Sequence, residues 1–372
     1  VKDYAIFLSL TENYIYLFNA LYNSAELFGV GEYAEFVVLH DGLPQTYIDF
    51  MEEKTSPLKT KVTFVKIQPV SGDENLGKVL TVKFYRYKYM SELGKDYKSI
   101  LFLDTDIYLA SDIREFFEIA ANTDLVVATN DNVVRSYKID PRLGACPGHF
   151  PDKKPFFERS MFDGKFICNV PTFIDMKKYG DVFLDVFEHR RKLGMDNSWP
   201  FTGDLETMNL VMLKHNMKYK MLVLASHLWT GVHYTNYRLN TAVKRWTVPA
   251  GTDISDSSYK KQFLFMSETC EHIRAFHGRE WTNEKSEKSL KEVYIPKMIS
   301  QAEGIFEGDV YEKARKKREG IFSLIQAYCL FLEFDCFINL DDVVKTCQIG
   351  ERYDYIKGKY VSLEPIIRTF KT

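Results

Sequence analysis

Over roughly its first 130 residues the chain alternates short apolar runs with longer stretches of helical period, and that alternation leaves few folds open. Tyr4–Leu8, Phe36–Leu39, Val62–Ile67 and the run 100–103 read as strands. Between them Tyr14, Leu17, Phe18, Leu21, Ala25 and Phe28 fall at helical spacing up to Gly29, and Thr46–Lys54 and Val79–Leu93 read as further helices. Such alternation predicts an α/β fold, a mostly parallel sheet with helices on both faces. Leu125–Thr129 and Phe166–Met176 read as additional strands, and Tyr179–Leu193 and Leu205–His215 as helices. The intervening Asn130–Asp163 stretch, rich in Pro, Gly and charge, reads as a long loop of the kind that forms a lid or an acceptor-binding insertion.

A chain of 372 residues has room for about two domains. From Glu284 onward the texture becomes helical, so 284–372 is expected to be a C-terminal helical extension that buttresses the sheet. Lys and Arg total 49 against 51 Asp and Glu, and the net charge of −2 supplies no overall field for nucleic acid or an anionic membrane. The basic run Lys313–Arg318 therefore reads as a solvated helix face. The six cysteines are widely spaced without a Cys-x-x-Cys, which argues for reduced thiols in a cytoplasmic protein. The first residues run straight into a strand with no signal-peptide pattern, and Phe322–Ile338, broken by Gln326, Glu333 and Asp335, reads as a buried helix rather than a membrane span.

The chemistry is expected where the run 100–103 ends in Asp104-Thr105-Asp106. In open α/β sheets the strand ends are the ligand edge, and two carboxylates two residues apart in extended chain point the same way, able to share one divalent cation and a phosphate bound to it. Other motifs fail their context. Gly29-x-Gly31-x-x-Ala34 has the letters of a dinucleotide fingerprint, but a helix precedes it and a strand follows, the reverse of what the phosphate needs. Phosphate-loop, nucleophile-elbow and His-Glu-x-x-His motifs are absent from the sequence.

With these features in place, the chain resembles the retaining, metal-dependent glycosyltransferases of the GT-A fold, in particular the family of glycogenin and lipopolysaccharide galactosyltransferases (glycosyltransferase family 8). The resemblance runs over roughly residues 4–283, which would be the catalytic domain. It implies that Asp104 and Asp106, with Thr105 between them, hold Mn2+ (Mg2+ being the alternative) on the diphosphate of a UDP-sugar. It further implies that the turn Ser9-Leu10-Thr11, with Tyr16, holds the base and ribose, although Tyr16 also fits ordinary helix packing. Asp41 either meets the base or supports the turn beside Gly42 and Pro44. Lys83 matches the family's phosphate-contacting basic residue, with Arg86 next.

Downstream, Asn169 replaces the family asparagine after a one-residue shift, beside a Pro171 that the family lacks. Asp204-Leu-Glu206-Thr-Met-Asn209 stands in for an acidic element near the reacting carbon, with Leu205 where a glutamine is usual. His277-Gly278, ahead of Trp281, is the match for the third metal ligand, and His272 is the second choice; two carboxylates and an imidazole suit manganese. The resulting expectation is a glycosyltransferase moving a sugar from a nucleotide-sugar donor to a hydroxyl acceptor, with Asp204 and Lys83 as catalytic groups. The acceptor class stays open among glycan, lipid, protein and a modified nucleic-acid base. The alternatives are a sugar nucleotidyltransferase and a non-catalytic nucleotide-sugar-binding module.

Overall fold

The computed structural model describes residues 2–69, 78–130, 167–192, 215, 217–222, 238–240, 245–247, 275–277, 288, 323–347 and 352–371. Among them a sheet of seven strands carries the fold, in the order β3 (Val62–Lys66), β2 (Ala34–His40), β1 (Tyr4–Leu10), β4 (Ser99–Phe102), β7 (Ile167–Ile174), β6 (Leu125–Asn130), β8 (Lys218–Leu222). β1, β2, β3 and β4 run parallel, as do β6 and β8; β7 is antiparallel to both β4 and β6. Two small antiparallel ribbons stand apart from it, β5 (Ile107–Leu109) with β11 (Ala275–His277), and β9 (Arg238–Asn240) with β10 (Arg245–Thr247). The expected class, a mostly parallel sheet flanked by helices with a helical C-terminal part, is the one observed.

The central strands β1 and β4 are mostly apolar because each faces a core on both sides. In β1, Tyr4, Ile6, Leu8 and Leu10 enter one cluster while Ala5 and Phe7 enter the other, the period-two division a strand imposes. β4 repeats it, with Leu101 on the first face and Ile100 and Phe102 on the second. Each large side chain buried this way contributes roughly 1.5–3 kcal/mol. The second face is covered by α3 (Lys78–Leu93) and α5 (Met176–Lys192), and the first by α1 (Ile15–Leu27), α2 (Gln45–Thr55) and α4 (Arg114–Asn122).

α1 departs from an amphipathic surface helix. Every residue from Ile15 to Ala25 is buried, Asn19, Asn23 and Ser24 included, because the C-terminal part lies over what would be its outer face. Residues 323–334 form the expected buried helix, α6; α7 (Leu340–Thr346) and α8 (Arg352–Ile367) follow. Asn19 Nδ2 donates to the Glu333 and Ile338 carbonyls at 2.8 and 3.1 Å, while Asn23 Nδ2 donates to the Leu332 and Ile338 carbonyls and its Oδ1 accepts from Ile338 N at 2.8 Å. The two asparagines, one helical turn apart, satisfy backbone groups of the chain that leaves α6.

The glycine pair that imitates a dinucleotide fingerprint has structural duties. Gly29, with φ of +69°, ends α1 in the left-handed region that glycine enters without cost. At Gly31 a Cβ would stand 2.3 Å from the Lys59 carbonyl carbon and the Thr60 nitrogen, so only glycine lets these backbones meet.

Candidate donor and metal site at the sheet edge

Because β1, β2 and β4 are parallel, the segments that follow them emerge along one edge. Leu10 pairs with His40, so Thr11 and Asp41 leave adjacent strands side by side. Ser9 Oγ, Thr11 Oγ1 and Asp41 Oδ2 are all buried here without a protein hydrogen-bond partner. Each such group costs about 1–3 kcal/mol if nothing meets it, so three together at a strand edge mark a place kept for a ligand.

The turn after β2 is closed by Leu43 N donating to His40 Nδ1 at 3.1 Å. Of the two roles the sequence left open for Asp41, the turn hydrogen bond thus belongs to His40. Burial, with Lys66 second, pushes the His40 pKa below its ordinary value, which keeps the ring neutral and the Nδ1 lone pair available. Tyr16 lies in the main core, 1 % exposed, with its hydroxyl accepting from Arg352 Nη1 at 3.2 Å. This is the packing reading of Tyr16.

Asp104 and Asp106 reach the same edge by a different geometry from the one expected. β4 ends at Phe102, Leu103 N still donates to the Phe7 carbonyl at 3.0 Å, and 103–106 then turn into β5. The carboxylates therefore sit on a turn between two strands rather than along one extended strand, with Thr105 buried between them. The turn brings the chain back as β5, whose partner β11 sets His277 opposite Ile107, the residue after Asp106. A histidine far along the chain is thereby placed beside the acidic turn by backbone register alone.

Behind the turn stands Arg86 of α3, 1 % exposed, its Nη1 3.6 Å from Asp104 Oδ1. Its guanidinium carbon lies 4.0 Å from the centroid of Phe102 and 5.5 Å from that of Tyr87. A buried guanidinium needs a charge partner and favours aromatic faces, and this one has both. The Asp104 side chain is 43 % exposed. Among the described residues no group of three or more His, Cys, Asp or Glu side chains is placed so that it could hold a metal ion. The hard oxygen donors of Asp104 and Asp106, with a histidine position in register beside them, still fit a divalent cation bound partly by its phosphate ligand.

Lys83 lies one turn before Arg86 on α3. Asn169 is on β7; since Phe102 pairs with Thr172 in antiparallel register, the β7 residues before Thr172 continue past the end of β4, along the edge where Asp104 lies. Asp204, Glu206, Asn209, Gly278 and His272, like the Asn130–Asp163 loop beyond Asn130 and the 313–318 basic run, fall outside the described residues. Sequence reasoning missed the contacts of α6 and α8 with this region: Tyr108 OH donates to Glu333 Oε1 at 3.3 Å, and Arg352 reaches Tyr16. The interrupting Glu333 in an apolar helix was the available signal.

Residues 5–161 match the family model described as glycosyl transferase family 8, a span that holds the Ser9–Thr11 turn, Asp41, Lys83, Arg86 and the acidic turn but ends before Asn169 and His277. No curated protein matches the chain. Among solved structures, the bifunctional glycosyltransferase WbbM is 15 % identical with a TM-score of 0.49; the match covers 76 % of this chain and 48 % of WbbM, so the chain spans about half the length of that protein. The galactosyltransferase LgtC, solved with donor and acceptor sugar analogs, is 14 % identical with a TM-score of 0.46 over 77 % of this chain and 94 % of LgtC. Mouse xyloside xylosyltransferase 1 is 11 % identical with a TM-score of 0.41 over 75 % and 97 % respectively.

Proposed function

Since residues 5–161 match the model of glycosyl transferase family 8, we propose that the chain transfers a sugar from a nucleotide-diphosphate donor, UDP-linked, to a hydroxyl acceptor with retention at the anomeric carbon. The observation that carries this reading is the acidic turn Asp104–Asp106 at the ligand edge, with buried Arg86 behind it and the His277 position in register beside it.

Ser9, Leu10, Thr11 and Asp41 would take the base and ribose, the unmet polar atoms of Ser9, Thr11 and Asp41 supplying hydrogen bonds. Asp104, Asp106 and His277 would hold Mn2+, which when bound neutralises charge on the diphosphate. Lys83 adds a positive charge for the departing phosphate, and Arg86 holds the Asp104 carboxylate in place. Asn169 and Asp204 would line the donor sugar, Asp204 acting by positioning and field. The acceptor oxygen forms its bond to the anomeric carbon as the bond from that carbon to the β-phosphate oxygen breaks. The acceptor's proton leaves with the nucleoside diphosphate or to solvent.

Residues 1–283 would form the catalytic domain and 284–372 its helical extension. Among the described residues no helix is long and apolar enough to cross a membrane. The reduced thiols of Cys329 and Cys347 support a cytoplasmic location.

The test is release of nucleoside diphosphate from a panel of nucleotide sugars with Mn2+. Wild-type protein is expected to release UDP from at least one UDP-sugar, and Asp106→Asn to lose about 100-fold or more in kcat/KM. Release of pyrophosphate instead would favour a nucleotidyltransferase, and binding of donor without any turnover a non-catalytic module.

A further inference from the structure

β5 has only three residues, yet it supports both halves of the proposed metal site: Asp106 precedes it, and its first residue is the register partner of His277. A two-stranded ribbon this short is not self-supporting in water. The contacts that hold it come from α6 and α1. Tyr328 OH donates to the Leu109 carbonyl at 2.8 Å, Leu109 N donates to Ser24 Oγ at 2.9 Å, and Tyr108 OH donates to Glu333 Oε1 at 3.3 Å.

Glu333 is fully buried, and burial pushes its pKa well above the ordinary carboxylate range, which favours its neutral form. Its Oε2 has no protein hydrogen-bond partner, so one oxygen alone is engaged, by Tyr108. α6 is in turn tied to α1 through Asn19 and Asn23. A polar pair inside an otherwise apolar layer costs desolvation, and a leucine at 333 would pack there without it.

We propose that α6 is a positioning element of the donor and metal site, with Glu333 and Tyr328 as positioning residues that set the place of β5 and, through it, of Asp106 and His277. This inference rests on the reading of the acidic turn as a metal site. It assigns to the C-terminal extension a part in cation and donor binding beyond covering the sheet.

The experiment measures Mn2+ binding in the presence of UDP, by loss of the free-ion electron paramagnetic signal, alongside the melting temperature of each variant. Tyr328→Phe keeps the ring and removes the hydrogen bond to the Leu109 carbonyl, and Glu333→Leu removes the acceptor for Tyr108. Each is expected to weaken Mn2+ binding about tenfold, the lower end of what loss of outer support costs a metal site. Glu333→Gln, which retains an acceptor oxygen, is expected to stay within about twofold of wild type. A folded Tyr328→Phe protein that binds Mn2+ as wild type does, whatever its melting temperature, overturns the positioning role and leaves the metal site standing. Wild-type protein that binds no Mn2+ with UDP overturns the site reading and this inference with it.

Discussion

Ile107 and His277 are register partners across the β5–β11 ribbon, so the residue after the acidic turn and the late histidine are held together by backbone hydrogen bonding. The proposed assignment of His277 as third ligand, with His272 the alternative, is tested by substituting each. His277→Ala is expected to raise the Mn2+ concentration for half-maximal donor turnover by about tenfold or more, and His272→Ala to leave it unchanged. Manganese titrations of UDP release from the two variants decide it, and the reverse order would move the third ligand to His272.

Arg86 compensates Asp104 from inside the core. Arg86→Met keeps most of the volume, and the half-exposed Asp104 can turn to water, so stability should change by less than about 2 kcal/mol. kcat/KM should fall at least about tenfold because Asp104 loses its fixed orientation. Urea denaturation and initial rates on the same preparation separate the two, and a variant that loses stability but retains kcat/KM would make Arg86 purely structural.

The unmet polar atoms at the ends of β1 and β2 make an unusual pattern of effects. Removing them breaks no protein hydrogen bond, so Thr11→Val and Asp41→Asn should leave the ligand-free melting temperature unchanged or raised. The donor KM should rise by about fivefold or more, about 1 kcal/mol of lost ligand hydrogen bonding each. Melting curves with and without UDP check both halves, and a lower ligand-free melting temperature would show that the groups serve the fold.

Glu333 links stability to pH with a definite sign. Its folded pKa is raised well above the unfolded value, so above roughly pH 4.5 the unfolded chain releases a proton that the folded protein keeps. Wild-type stability from this group is complete below that pH and is progressively lost as pH rises toward the folded pKa. Glu333→Gln has no proton to lose, so its stability relative to wild type should increase steadily between pH 5 and pH 8, measured by urea midpoints. A flat difference would mean Glu333 is ionised in the fold.

Gly31 abuts the Lys59–Thr60 backbone, where a methyl group meets peptide atoms that cannot swing aside. Gly31→Ala should cost about 1–3 kcal/mol, read as a lower chemical-denaturation midpoint. An unchanged midpoint would show that the β3 approach can yield.

Much of the fold was legible because strand and helix periods are written in neighbouring residues. The periodic runs Tyr4–Leu8, Phe36–Leu39 and Val79–Leu93 end within a few residues of β1, β2 and α3. Asp104 and Asp106 were legible as a pair because an apolar strand must end where charge begins. Their placement on a turn was not, since Asp-Thr-Asp is compatible with either backbone. Arg86 was readable only as a helix residue near the strand; its burial depends on Phe102 and Tyr87 closing over it.

By itself, then, the amino-acid order determined the α/β class, the strands that face two cores and the carboxylates at the ligand edge, because each of these is set by local periodicity and by the cost of burying charge. Only the tertiary structure decided that β7 runs antiparallel, that β11 brings His277 to Ile107, and that Asn19 and Asn23 receive α6. Those pairings join residues far apart in sequence. They are selected by which edges and faces remain uncovered once the rest of the chain has packed, and no local period encodes that.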